Sequence, residues 1–351
     1  MRAVPGLRPR PRPIRARSSR MCTNFKYPKA TDGTVCVGRT MEFPNEIPWQ
    51  MGVLAANHAG QSTIVPNGKT WQAKYGVVGF SGFGNPQWYA DAMNTAGLSA
   101  HALYMPGHCT YYAPKGDGTD IGALDVIGFV LGTCSTTAEA RAALGTINVV
   151  NKMPQEIPIT LPLHFIIHDQ DSCIVAEFHA EGMRISDNPV QVATNSPYLD
   201  WHLTNVANYL SLSPENPAPI VIGGTTFAPS AQGQGFRGLP GDGTSPSRFI
   251  RALTAVRFAS VPADRDAAEL GTIRTLHGFD IVAGDIEETA PHGDVPELTM
   301  WSTVSDLTAN RYLVNVYADP QWFAIDLTTT DFSTSRVSAL PSAGGISALT
   351  L

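Results

Sequence analysis

Cys22 stands at an abrupt break in the chain, directly behind Met21. Residues 1–20 hold seven arginines, four prolines and no acid, and then "MCTNF" reads like the start of a folded domain. If Met21 and everything before it are removed, Cys22 carries both a thiol and a free α-amino group. An α-amino group titrates near ~8 and a thiol near ~8.5, so close to neutral pH some of the amine is unprotonated and can take the thiol proton. Nucleophile and base would then share one residue. With the chain uncut, Cys22 is an ordinary cysteine beside an internal methionine. Its position alone does not choose between these readings.

Four other residues could serve such a thiol. "GRTME" places Arg39 and Glu42 three apart in a strand-like segment. A cation beside a thiol favours thiolate, and a carboxylate can hold an α-amino group. "ATNSP" puts Asn195 at a strand end before a proline, where a side-chain amide can face a developing oxyanion. "SPSRFIRA" puts Arg248 in the first turn of a helix. Singly, each is equally a surface ion pair, a turn asparagine or a solvated arginine.

Other candidates lose on physical grounds. "GQGFRG" (233–238) matches G-x-G-x-x-G, but "TTFAPSAQ" before it and "LPGDGTSPS" after it are loop, not the strand and helix that dinucleotide binding requires. His164 and His168 would lie roughly 13 Å apart along a strand, too far to share a metal, and read as polar positions at a hairpin end. Cys36, Cys109, Cys134 and Cys173 sit in apolar or small-residue segments and are expected to be small buried hydrophobes. The sequence has no phosphate-binding P-loop and no G-x-S-x-G, and nothing in it calls for a metal or cofactor.

Behind these residues stands a chain of 351 residues, 43% hydrophobic and 15% charged, enough for a sizeable core. The net charge of −6 hides an asymmetry: residues 21–351 carry 17 basic against 30 acidic side chains, or −13. A body that acidic is a poor partner for nucleic acid. No apolar run approaches bilayer length, which predicts a soluble protein with no membrane partner. Residues 1–21 lack the apolar core of a secretory signal, and their prolines spoil the amphipathic helix of a transit peptide; they read as a Pro/Arg-rich leader, disordered or removed. Five cysteines without a C-x-x-C pair predict reduced thiols and a cytoplasmic location.

β-like runs at 34–43, 49–56, 75–83 and 98–105 precede two helical segments, 120–134 and 135–144, the second opening on a Ser/Thr cap with Glu139. A hairpin follows at 163–179 around an Asp-rich turn, and its strands continue through "MRISD" and "VQVATN" to Asn195. Helices return at 199–210, 245–260 and 264–277, and the stretch 298–327 reads as three more strands. The Gly/Pro-rich stretch 228–246 reads as a surface loop. Strands and helices alternate as blocks, which argues for α+β layers with largely antiparallel sheets in one domain, residues 22–351.

Taken together, "MCTNF", "GRTMEF", "DAMNTAGLSAHALYMPG", "LHFIIHDQDSCIVAEFHAEGMRISDNP", "VATNSPYLDWHLTN", "SPSRFIRA" and "TMWSTVSDLTANRYLVNVY" resemble the choloylglycine hydrolase family, the linear amide C–N hydrolases. The resemblance implies the four-layer αββα sandwich of N-terminal nucleophile hydrolases. It implies Cys22 as nucleophile, Arg39 beside the thiol, Asn195 and the Tyr104 backbone N–H in the oxyanion hole, and Arg248 as a second active-site arginine. Glu42 falls where the family usually has an aspartate that binds the α-amino group. Tyr104 looks more like the penicillin V acylases than the bile salt hydrolases, which typically carry asparagine there. The implied substrate is a small acyl amide, with conjugated bile salts or N-acyl homoserine lactones as alternatives. Family members are often tetramers. A non-enzymatic alternative is an unprocessed homologue that only binds acyl amides.

Overall fold

The computed structural model describes residues 21–43, 47–62, 64–154, 157, 160–290 and 293–342. Of residues 1–21, read above as leader, 1–20 lie outside the described residues and Met21 is described; the chain beyond 342 also lies outside them.

Two antiparallel sheets carry the fold. The first runs in the spatial order Val192–Ala193, Cys22–Lys26, Cys36–Glu42, Thr299–Asp306, Arg311–Val316, Asp319–Asp326. The second has eight strands: Gly182–Asp187, Cys173–His179, Leu163–His168, Ser99–Tyr104, Tyr89–Asn94, Val77–Gly82, Trp49–Leu54, Arg336–Ser338. The strands Cys22–Lys26 and Cys36–Glu42 are buried along their whole length. They show no alternation between apolar and polar faces because both faces are covered. Phe80 stacks on Trp301 across the gap between the sheets, with ring centroids 4.1 Å apart.

Helices close the outer faces. The helices α1 (Val126–Thr133) and α2 (Thr137–Leu144) pack on the second sheet, and α4 (Ser245–Phe258) and α5 (Arg265–Leu276) pack on the first. The short α3 (Leu199–Asn205) lies against α4. Local chemistry sets their ends: Thr136 accepts the Glu139 N–H at the start of α2, Asp264 accepts that of Ala267 at the start of α5, and Pro246 occupies the first turn of α4. The result is an αββα sandwich, as the resemblance implied, and it has the largely antiparallel α+β layers that the block pattern predicted.

Several expectations are corrected. Residues 120–122 form a strand paired in parallel with Asn148–Val150, and a 3-10 turn separates it from α1. Three residues of the run are drawn off by strand pairing, which periodicity alone does not reveal. The helix expected over 199–210 stops at Asn205 and continues as a 3-10 turn. Tyr89–Asn94 is an unanticipated central strand, and Ile220–Ile222 with Thr225–Phe227 forms an unanticipated exposed hairpin. His168 does close the hairpin, opposite Cys173, but it and His164 are buried inside the second sheet. The second layer covers what a lone hairpin would expose. Cys109 is half-buried, while the other three structural cysteines are buried.

Gly79 has no room for a side chain, since a Cβ there would overlap the Asp91 carbonyl oxygen and the Ala92 Cα of the adjacent strand. We expect Gly79→Ala to lower stability by about 1–3 kcal/mol through this overpacking, measured by urea denaturation. A change within error would mean the strand pair is looser than this packing requires.

Candidate active site

The thiol of Cys22 lies where the two sheets face one another. Cys22 opens its strand and pairs with Met41, so the first residue of one strand is set against the second-last residue of its neighbour, close to Arg39 and Glu42. Cys22 Sγ is 3.7 Å from Arg39 Nη2 and 3.7 Å from Met41 Sδ. The backbone N–H of Tyr104 also favours the thiolate. Burial pushes the thiol pKa up, Arg39 pulls it down, and the Glu42 charge pushes it up again; the net direction in the uncut chain is upward. A thiol in that state needs a base to become a nucleophile.

Asn195 is held on every polar atom. It follows the edge strand Val192–Ala193, which pairs directly with the cysteine strand. Its Oδ1 accepts Cys22 N at 2.8 Å and Arg248 Nη2 at 2.6 Å, and its Nδ2 donates to the Tyr104 carbonyl at 2.7 Å. Its backbone N–H donates to Ser245 Oγ at 2.9 Å, and its carbonyl accepts His202 Nε2 at 3.0 Å. Arg248, in the first turn of α4, also donates to the Cys22 carbonyl, to Thr23 Oγ1 at 2.9 Å and to the Gly243 carbonyl at 2.9 Å. One amide therefore ties together the cysteine backbone, the helix and the Tyr104 strand. One Asn195 Nδ2–H goes to the Tyr104 carbonyl; the amide carries a second.

Glu42 is fully buried, with Oε1 accepting Thr299 Oγ1 at 3.0 Å. Burial raises its carboxyl to about 7, against the opposing pull of Arg248, the Thr40 and Thr299 hydroxyls and Arg39. Its backbone N–H donates to the Met21 carbonyl at 3.0 Å. The peptide N–H of Met21 donates to Glu297 Oε1 at 2.8 Å, and Met21 itself is buried.

The structure thus brings together all six residues singled out in the sequence: Cys22, Arg39, Glu42, Tyr104, Asn195 and Arg248. Sequence reasoning missed Glu297, which sits in an acidic stretch where nothing distinguishes it. It also missed Asp91. This fully buried carboxylate accepts Arg39 Nη1 at 3.3 Å, His101 Nδ1 at 2.5 Å, Tyr312 Oη at 2.5 Å and Thr303 Oγ1 at 3.2 Å. Burial pushes Asp91 up, but His101, Arg39 and Tyr312 outweigh it and hold the carboxyl down at about 2. A single acid inside the apolar run "YADAM" was the available signal, since a buried charge demands partners. Among the described residues no cluster of His, Cys, Asp and Glu is arranged to hold a metal ion.

Beside the thiol, past Met41, opens a pocket walled by Phe43, Trp49, Phe83, Trp88, Leu161 and Leu163. The Tyr104 ring packs edge-on against Phe43, with centroids 6.3 Å apart. An arrangement of this kind can take an apolar group next to a polar reaction centre.

Asp91→Asn leaves Arg39 buried without its counter-charge, for which a loss of about 3–5 kcal/mol is expected, read by chemical denaturation at pH 7. The sign with pH follows from a depressed carboxyl. Its contribution is present above the ordinary aspartate value and fades as pH falls toward about 2, so the two proteins should converge in acid. Equal stability at neutral pH would mean that Arg39 finds its compensation elsewhere.

Comparison with known proteins places this geometry. A profile described as linear amide C–N hydrolases, choloylglycine hydrolase family, matches residues 22–339. The chain is 30% identical over 311 residues to a bile salt hydrolase/transferase of Clostridium perfringens, covering 88% of this chain and 92% of that protein. It is 30% identical over 236 residues to a conjugated bile acid hydrolase of Lactobacillus acidophilus, covering 66% and 73%. A crystal structure of a mutant conjugated bile acid hydrolase from Clostridium perfringens superposes with TM-score 0.82 at 25% identity, covering 94% of this chain and 99% of that one. Penicillin V acylase from Agrobacterium tumefaciens shares the fold, with TM-score 0.72 at 23% identity and coverage of 89% and 88%. No helix among the described residues is long and apolar enough to cross a membrane. With the αββα sandwich and a matching profile over residues 22–339, the chain belongs to the choloylglycine hydrolase family of linear amide C–N hydrolases.

Proposed function

We propose that Cys22, once freed of residues 1–21, is the nucleophile of a small-amide hydrolase. The observation that carries the reading is Asn195, whose amide bonds Cys22 N, Arg248 and the Tyr104 carbonyl at once. In the cut chain Cys22 N becomes an amine beside Asn195 Oδ1, with Glu42 as the nearby carboxylate. The neutral amine takes the thiol proton, and Sγ attacks the acyl carbon. The second Asn195 Nδ2–H and the Tyr104 N–H hold the oxyanion. The C–N bond breaks, the leaving amine takes its proton from the α-ammonium, and water then hydrolyses the thioester to release the acid and restore the thiol. Arg39 steadies the thiolate, and Arg248 fixes Asn195 and the Cys22 backbone.

The aromatic pocket supports an extended or flat apolar acyl group, as in penicillin V or a long-chain fatty acyl amide. The bile salt hydrolases among the 30% identical relatives favour a second reading, conjugated bile salts. All five cysteines are free thiols, which supports a cytoplasmic location. The exposed Ile220, Val221, Ile222 and Phe227 of the hairpin support a homo-oligomer, with the tetramer as the proposed state.

Three measurements test this. The active protein should have the mass of residues 22–351, Cys22→Ala should be inactive, and Asn195→Ala should lose about 10²–10³ in kcat; full activity with residues 1–21 attached would exclude the mechanism. On a panel of penicillin V, a long-chain acyl amide and glycocholate, kcat/KM should be lowest for glycocholate. Tyr104→Asn should narrow the gap. A clear glycocholate preference in the unmutated enzyme would select the bile salt reading.

Glu42 provides a pH test. Its folded carboxyl, raised to about 7 in the uncut chain, binds a proton that the unfolded chain releases. The stability it contributes is full below the ordinary glutamate value and is lost as pH rises through about 7. Leader-bearing Cys22→Ala protein should therefore lose more Tm between pH 5 and 7.5 than the same protein with Glu42→Gln. In the cut chain the neighbouring ammonium should lower the Glu42 pKa and shrink that difference. Identical slopes in cut and uncut protein would place Glu42 away from the amine.

A further inference from the structure

Around the backbone of Thr194 and Asn195 lies a second polar cluster that the hydrolytic steps do not use. His164 Nε2 meets the Thr194 carbonyl at 2.9 Å, and His202 Nε2 meets the Asn195 carbonyl at 3.0 Å. A carbonyl oxygen can only accept, so both imidazoles carry their proton on Nε2. Both rings are buried, and burial drives each to about 4, so both are neutral donors at pH 7. Glu177, also buried, accepts the Leu199 N–H at the start of α3 at 2.8 Å and lies 3.9 Å from His164 Nδ1.

These contacts fix the segment on both sides of the asparagine. The His202 ring stacks on Phe249 with centroids 4.6 Å apart and planes 11° off parallel, and Phe249 follows Arg248 in α4. His164 stands opposite Leu103 in the strand pair that also carries Tyr104. The carbonyls of Thr194 and Asn195 are therefore pinned to a helix and a strand that pack directly on the elements supplying Arg248 and Tyr104. Asn195 is a short side chain, so its amide can be aimed only if its backbone is fixed.

We propose that His202 and His164 are positioning residues for the reaction, with His202 aiming the Asn195 amide through its bond to the Asn195 carbonyl and Glu177 anchoring α3 behind it. The inference rests on Asn195 being an oxyanion donor. Neither histidine touches the substrate. Loss of the His202 donor lets the Asn195 amide drift, and displacements on the order of 1 Å cost up to about 10²-fold in rate. Because neither histidine lines the aromatic pocket, substrate affinity should change little.

The test compares His202→Met with His202→Gln in the processed enzyme. Both fill the space beside Phe249, but only glutamine can donate to the Asn195 carbonyl. His202→Met should lower kcat about 10–100-fold with KM within about threefold. His202→Gln should recover most of that loss. Alkylation of Cys22 by iodoacetamide should fall far less than kcat in His202→Met, because Arg39 and the Tyr104 N–H, which favour the thiolate, are untouched. Equal kcat in the two variants, whether high or low, would overturn the proposal, as would a parallel fall in alkylation rate. If His202→Met fails to fold, His164→Met against His164→Gln applies the same comparison to the Thr194 carbonyl. An inactive unmutated enzyme would instead count against the hydrolytic assignment itself, and a fully active Asn195→Ala against the oxyanion role of Asn195 on which the proposal rests.

Discussion

Arg39 has no exposed surface, and a guanidinium so placed is stable only with an equally buried counter-charge. Asp91 supplies it, and the carboxylate is in turn steadied by His101, Tyr312 and Thr303. These partners come from both sheets: Tyr312 and Thr303 from the sheet that holds the cysteine, Asp91 and His101 from the facing one. The same guanidinium reaches across to the Ala90 and Ala102 carbonyls. The relative position of the two sheets is thus written into one charge pair, and the thiol inherits its environment from that arrangement.

Asn195 does for the backbone what Arg39 does for the thiol. It sits just after a two-residue edge strand, a weak hold by itself, yet every polar atom it has is bonded. Short loops carrying a reactive group are ordinarily mobile. Here helix α4, the strand Ser99–Tyr104 and the buried histidines remove that freedom, while none of these histidines lines the apolar pocket beyond Met41.

Much of this was legible in the chain. The antiparallel α+β layering followed from strands and helices arriving in blocks, while its αββα order came with the resemblance to a family. The six site residues stood out through their residue types and that resemblance. What stayed hidden has a common cause. Asp91, His164, His202 and Glu177 gain their meaning from contacts across the sandwich, and sequence periodicity reports which face a residue occupies but not what waits opposite. His164 is the plain example: it reads as a hairpin polar position and becomes a buried donor because another layer closes over it. The strand at 120–122 was hidden for the same reason, since its partner lies some 28 residues along the chain, at Asn148–Val150.

The place of Met21 has a practical consequence. Its side chain is buried beside Gly243, its N–H meets Glu297 and its carbonyl meets the Glu42 N–H, so a residue ahead of Cys22 is accommodated inside the folded protein rather than expelled from it. A recombinant sample that keeps one scar residue there would fold, melt cooperatively and elute as a single species. With the proposed base still locked in a peptide bond, it would also be silent. Quality checks that report only on folding are therefore blind to the one covalent detail on which turnover would depend.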